Sequence, residues 1–234
     1  VLAVLAITGC ESNQERSAKL EKAAKQREGE AAQRRQLAQR ALTITHESNK
    51  VKVTATAIVR GSEAAAAVIT LRNVSGTALR DIPIQITVRD AQGASVYTNA
   101  IPGLSPTLLS AALLPAHGVI TWIDDQVQAT GTPVSVSAKI GEGTPVTGAI
   151  PKLSVEGAHL SETQAEGNLL NHSSVSQQEL VIYGVARRGG KIVAAGRALL
   201  PVDSAGTSSP FQLFFVGNPS GAQLEITAPA TTAG

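Results

Sequence analysis

From residue 50 onward, apolar and polar positions alternate along the chain. Ile82, Ile84, Ile86 and Val88 interleave with Pro83, Gln85, Thr87 and Arg89, the cleanest period-two run in the sequence. Alternation of that kind predicts a strand with one buried face. Pro83 has no N–H to give a neighbour, so it predicts a sheet edge or a strand start. Val51, Val53, Ala55 and Ala57 alternate in the same way, and residues 67–73, 94–99, 119–124 and 134–140 form further short apolar runs. Turn residues separate these runs, among them Val74-Ser-Gly76 and the hairpin signal Asp90-Ala-Gln-Gly93. Short strands broken so often predict antiparallel sandwiches.

The pattern then repeats, which decides the architecture. Asn73-Val-Ser75 matches Asn171-His-Ser173 at a spacing of 98, and Ile82, Ile84 and Arg89 match Leu180, Ile182 and Arg187 at the same spacing. Gly93 and Val96 match Gly190 and Val193 at 97, Leu113-Leu-Pro115 matches Leu199-Leu-Pro201 at 86, and Trp122 matches Phe211 at 89. Gly131, Val134, Val136 and Ala138 match Gly221, Leu224, Ile226 and Ala228 at 90. The order never breaks. The expected fold is therefore all-β: two tandem antiparallel sandwiches, residues 50–141 and 152–229, joined by a Gly/Pro-rich linker at 142–151 and ending in a disordered tail at 230–234. The fall in spacing places an insertion in the first copy, at Ser105, Pro106, Thr107, Leu108, Leu109, Ser110 and Ala111. An apolar loop without a counterpart is either a partner-binding element or a flap that tucks back over its own sandwich.

The first fifty residues follow other rules. Residues 12–42 are rich in Ala, Glu, Gln, Lys, Arg and Leu, contain no Pro, and carry the i,i+4 pairs Glu21–Lys25 and Glu30–Arg34, which predicts helix. Their apolar stripe is thin, so residues 10–49 are expected to form a solvated helical stalk, with a coiled coil as the less favoured alternative. Before the stalk, Val1–Ile7 is an uninterrupted apolar run, followed by Thr8, Gly9 and the only cysteine, Cys10. The run is too short to span a bilayer, and residues 1–9 read as what remains of a signal peptide. Composition adds little against this picture. Residues 11–50 hold nine Lys/Arg against six Asp/Glu, while the rest of the chain is close to neutral, so the basic excess lies beside Cys10, where it would favour anionic lipid. No basic patch interleaved with aromatics points to nucleic acid.

Two resemblances attach to these residues. Ile7-Thr8-Gly9-Cys10 resembles the lipobox of bacterial lipoproteins, which implies removal of the leader, acylation of Cys10 (palmitate among the acyl groups), and anchoring at the extracytoplasmic face of a bacterial cell membrane. Two acyl chains are needed for a stable anchor. Gly167-x-x-x-Asn171-x-Ser173 with the following strand and Gly190, and again Asn73-x-Ser75-Gly76 with residues 82–88 and Gly93, resemble the FxLYD-type domain of envelope lipoproteins, although the signature itself survives only as Leu180-Val-Ile-Tyr183. That resemblance implies immunoglobulin-like sandwiches and no known catalysis.

Candidate chemistry is sparse. His46, His117, His159 and His172 lack metal-ligand spacing to one another or to Cys10, so no metal or cofactor is expected. Asp124-Asp125 beside Trp122 is the one acidic pair among the strands, and alternation should send its two carboxylates to opposite faces. Both Asn-x-Ser sequons are expected to serve as turns. The leading expectation is a non-enzymatic lipoprotein that presents two binding domains to an extracytoplasmic protein or other envelope component. The alternatives are an enzyme or metal-handling protein using scattered residues such as Asp124, Asp125 and His117, and a passive spacer.

Overall fold

Each alternating run becomes an antiparallel strand in the computed structural model, which describes residues 40–231 together with Lys22, Lys25 and Gly29. Cys10 and residues 11–39 of the expected stalk lie outside the described residues, save those three, whose backbone is helical. Residues 40–49 are not helical, and Glu47 bridges to Gly141 while Ser48 N bonds the Ile140 carbonyl at 2.8 Å, so the end of the expected stalk is docked on the first half. The first half contains β1 (Val51–Arg60), β2 (Ala65–Asn73), β3 (Leu79–Arg89), β4 (Ser95–Thr98), β5 (Ser110–Leu114), β6 (Val119–Val127), β7 (Ser135–Ile140) and β8 (Thr144–Pro145). The second contains β9 (Leu153–Ser161), β10 (Gln164–Asn171), β11 (Gln177–Arg188), β12 (Lys191–Asp203), β13 (Ser208–Phe214), β14 (Val216–Gly217) and β15 (Gln223–Thr227). β2 pairs with β1 and β6, while β3 pairs with β4 and β5 on one side and β7 and β8 on the other. β10 likewise lies between β9 and β13, and β11 between β12 and β15. The pairing scheme therefore occurs twice.

Side chains repeat along with the strands. Asn73 is fully buried; its Nδ2 donates to the carbonyl of Thr77 at 2.8 Å, and its Oδ1 accepts from Ser75 N at 2.9 Å and Ser75 Oγ at 2.7 Å. Asn171 makes the same set with the Val175 carbonyl at 2.9 Å and with Ser173 N and Oγ at 3.0 and 2.7 Å. Asp81 and Glu179, 98 apart, both have positive φ, 53° and 48°. Ile69 faces Trp122 across β2–β6, and Gly167 faces Phe211 across β10–β13, as spacings of 98 and 89 require.

Hydrogen bonds also correct the alignment. Gly118 N bonds the carbonyl of Pro115, and Thr207 N that of Ser204; Pro115 therefore corresponds to Ser204, and its sequence match to Pro201 is three residues out. In the last strand Val136 pairs with Val88, and Leu224 with Ala186, so the true spacing is 88. A slip of two preserves the face, which is why the hydrophobic pattern did not expose it.

Other differences have local causes. Pro83 lies inside the central strand β3. It sits where pairing passes from β8 to β7 and from β5 to β4, a seam where a missing N–H disrupts no ladder. The 105–111 stretch, expected as a loop, is a single 3₁₀ turn, Pro106–Leu108, running into the strand β5. The expected linker begins as β8, and Val146 N bonds the Ala78 carbonyl at 2.9 Å, leaving only residues 147–150 as an exposed connection. At the other end Ala230 is buried and Thr231 N donates to Gln177 Oε1 at 2.8 Å, so residues 230–231 are docked rather than loose.

The halves pack on each other. One apolar cluster contains Ala66, Val68 and Ile123 from the outer face of β2–β6 together with Val181, Tyr183, Val185 and Ala195 from the outer face of β11–β12. Leu169, Leu180, Ile182, Phe211 and Leu213 form the second half's own core. β2 and β11 are consequently buried on both faces, with Val68, Ile69, Val181 and Ile182 all at most 2% exposed. Gly217 (φ 95°) sits at the seam, where a Cβ would lie 2.3 Å from the Val193 carbonyl and 2.7 Å from Val59.

Candidate functional site

The seam between the halves holds the densest polar chemistry of the described residues. Arg197, on β12, reaches the edge strand β6. Its Nη2 lies 3.0 Å from Asp124 Oδ1 and its Nε 2.9 Å from Asp125 Oδ1, and Nη1 donates to the carbonyls of Ile123 and Leu108 at 3.2 and 3.3 Å. The backbone N of Arg197 adds a bond to Asp125 Oδ2 at 3.0 Å, and Tyr97 donates its hydroxyl to Asp124 Oδ2 at 2.8 Å. Against the expectation from strand alternation, both aspartates meet one side chain, at a point where the β2–β6 register shifts between Asp124 and Val127. Because β6 is a sheet edge, one forked guanidinium can meet both of them and a free strand carbonyl as well. The side chains of Arg197 and Asp124 are only 7% and 4% exposed.

Burial sets the electrostatics of the cluster. It pushes the Asp125 carboxyl above the ordinary aspartate range, with Arg197 pulling the other way. It also raises both tyrosines of the chain well above the ordinary phenol value: Tyr97 through desolvation and the charge of Asp124, Tyr183 chiefly through desolvation. Fixed charge of this kind, with every acceptor occupied, locks two surfaces together.

The second feature is an open face. On the outer side of β9–β10–β13, Phe214 pairs with Gln164, Gln212 with Glu166 and Pro210 with Asn168, while His159 stands across from Glu166 on β9. Glu166 Oε1 accepts from Gln164 at 2.5 Å and Gln212 at 3.3 Å. A depression of about 510 Å³ lies here, bordered by Gly157, His159, Glu166, Asn168, Pro210 and Gln212. Gly167 lies at its floor, where a Cβ would come 3.0 Å from the buried ring of Phe211 and 3.1 Å from Ala158. In the first half the corresponding positions are the apolar Ala66, Val68 and Ile123, which β11 and β12 cover. Nearby, Ser154 Oγ and His172 Nε2 are 2.7 Å apart.

The residues singled out from sequence fall as follows. Cys10 is outside the described residues. Of the 105–111 stretch, Leu109 and Ala111 are buried, Leu108 packs on the shared core, and Thr107 donates to Glu179 Oε2 at 2.7 Å across the seam; Ser105 is exposed. The stretch is thus occupied inside the molecule, as a clasp on the second half. His117 (φ 57°) donates its backbone N to the Ser75 carbonyl, whereas Asp124 pairs with Ala67 at the other end of β2, so His117 and the aspartates are not brought together. Asn73 and Asn171 are at most 2% exposed, which fits the turn role and leaves no free amide for a glycan. Arg197, Tyr97 and Tyr183 were missed. For Tyr183 the available signal was the unbroken apolar run Leu180–Ala186, since a strand apolar on both parities is buried on both faces; nothing in the pattern pointed to Arg197 or Tyr97.

No protein-family model matches the chain, and no curated protein matches it either. The likeness to FxLYD-type domains rests on its turn-and-strand pattern alone.

Proposed function

We propose that this is a non-enzymatic, lipid-anchored envelope protein that acts by binding. In this reading Cys10 carries the acyl chains, residues 11–39 form a helical stalk, and two immunoglobulin-like sandwiches of FxLYD type make a head at the extracytoplasmic face of a bacterial membrane. The observation that supports it best is the closed stack. The apolar outer face of β2–β6 meets the apolar outer face of β11–β12, while the two end faces are polar, with Gln85 and Thr87 on β3 and Glu166 and Gln212 on β10 and β13. Outer faces of stacked repeats are polar where water covers them. Such a head presents fixed surfaces at a fixed separation, which suits recognition. Fatty-acid labelling of wild type and Cys10→Ala tests the anchor, with label and membrane retention expected in wild type alone. Crosslinking in intact cells tests the binding role, and a capture set identical to that of an unrelated lipoprotein would reject it.

A further inference from the structure

The face that ends the stack is polar, yet it carries an aromatic ring. Phe214 is 61% exposed, although the chain has only three phenylalanines and the other two, Phe211 and Phe215, pack in the core of the second half. Its counterpart in the first half is Asp125, whose carboxylate serves the seam. Beside Phe214 on the same face lie Gln164, Gln212, Glu166 and Asn168, planar groups with hydrogen-bonding edges. We propose that this face binds a neutral carbohydrate chain, one sugar ring lying on Phe214 and its hydroxyls meeting the amide and carboxylate ladder.

The chemistry matches at each point. A pyranose has an apolar face of C–H groups that covers an aromatic ring, and an equatorial rim of hydroxyls that both donate and accept. Amides offer both functions on one planar group, and a carboxylate offers paired acceptors. Glu166 is already oriented by Gln164 and Gln212, so little side-chain freedom is lost on binding. An open depression adjoins the ladder at Glu166 and Gln212, which gives an extended chain room to lie along the face. Charge selects among glycans. β9, β10 and β13 contain no Lys or Arg, and their charged side chains beyond the histidines are Glu156 and Glu166. Uronates, phosphates and anionic lipid are therefore disfavoured, and an uncharged chain is accepted.

This inference deepens the binding reading above and rests on it, but its test does not depend on the anchor: failed labelling of Cys10 would leave it standing, and its own failure would leave the anchor standing. The full chain is titrated with chitohexaose, cellohexaose and maltohexaose, with hexagalacturonate as the anionic control, while amide chemical shifts are followed. Saturable shifts confined to β9, β10 and β13 are expected with at least one neutral hexasaccharide and none with the uronate. Phe214→Ala should weaken that binding about tenfold or more, and Phe214→Trp should restore it. Because Phe214 is exposed, the thermal midpoint should hold in both variants. No saturable shift with any neutral hexasaccharide, equal binding of the uronate, or an unchanged affinity in Phe214→Ala overturns the proposal. So does a photocrosslinker at position 212 that captures a protein while the saccharides leave the spectrum unchanged.

Discussion

Asn73 and Asn171 each close a turn with one buried amide, and the closure is the same in both halves. Asn73→Ala would leave Ser75 N without its acceptor and take an amide donor from the carbonyls of Thr77 and Pro115, at a cost of about 1–3 kcal/mol. Asn171→Ala should cost a similar amount, and Asn→Asp at either position should cost more, because it buries a carboxylate with one oxygen facing backbone carbonyls; urea denaturation measures all four variants. Arg197 is more exacting. Its loss strands two carboxylates at a buried seam, so Arg197→Ala should destabilise by about 3–5 kcal/mol. Arg197→Lys should recover only part, because a single ammonium cannot reproduce the fork. The tyrosines make alkaline pH a third probe. Folding raises both phenol pKa values, so their contribution is fully present below about pH 10, the unfolded phenol value, and is lost as pH rises beyond it. Stability should fall by up to about 1.4 kcal/mol per pH unit for the buried Tyr183 and by less for the half-buried Tyr97, and Tyr183→Phe should remove the larger part of that slope. Phenolate absorbance should then appear together with unfolding, not ahead of it.

Strands were legible because period-two alternation has a single physical cause, one face in and one face out. It found β3, β6 and β7 and the Asp90–Gly93 turn, where Gly93 takes φ 82° and Ala94 N bonds Asp90 Oδ1 at 2.8 Å. It missed β5, whose Ser-Ala-Ala-Leu-Leu has no alternation to show. Comparison of the two copies, position by position, holds the rest of the answer. Pro83, Gln85 and Thr87 on β3 become Val181, Tyr183 and Val185 on β11, while Ala66 and Val68 on β2 become Gln164 and Glu166 on β10. The apolar outer faces are complementary, one per copy, and that asymmetry marks the faces that meet. Arg197 was not legible in this way, because alternation says nothing about which strand edges come together. The face assignment predicts an asymmetric response to one substitution. Val181→Asp buries an unpaired carboxylate at the seam and should destabilise by several kcal/mol, about 3 or more. Gln85→Asp, on the open side of the corresponding strand, should stay within about 0.5 kcal/mol. Equal effects in thermal melts would contradict the assignment.

At the scale of the molecule, duplication has produced a single body in place of two modules on a tether. A tethered pair would gain from effective concentration, and its members would unfold separately. Here the shared cluster, the Arg197 fork and the Thr107–Glu179 bond all cross the seam, while the covalent connection at 147–150 is exposed and carries little of the contact. The two kinds of connection can be separated by experiment. A protease site placed at residues 147–150 should be cut readily, because the segment is accessible, and the two pieces should then elute together at the position of the intact chain. Combining that cut with Val181→Asp and Arg197→Ala should release them as separate species. Before cutting, the wild-type chain should melt in one calorimetric transition with matching van't Hoff and calorimetric enthalpies. Pieces that separate without the seam substitutions, or two transitions in the uncut wild type, would mean that the halves act independently, and the fixed spacing on which the binding head depends would be lost.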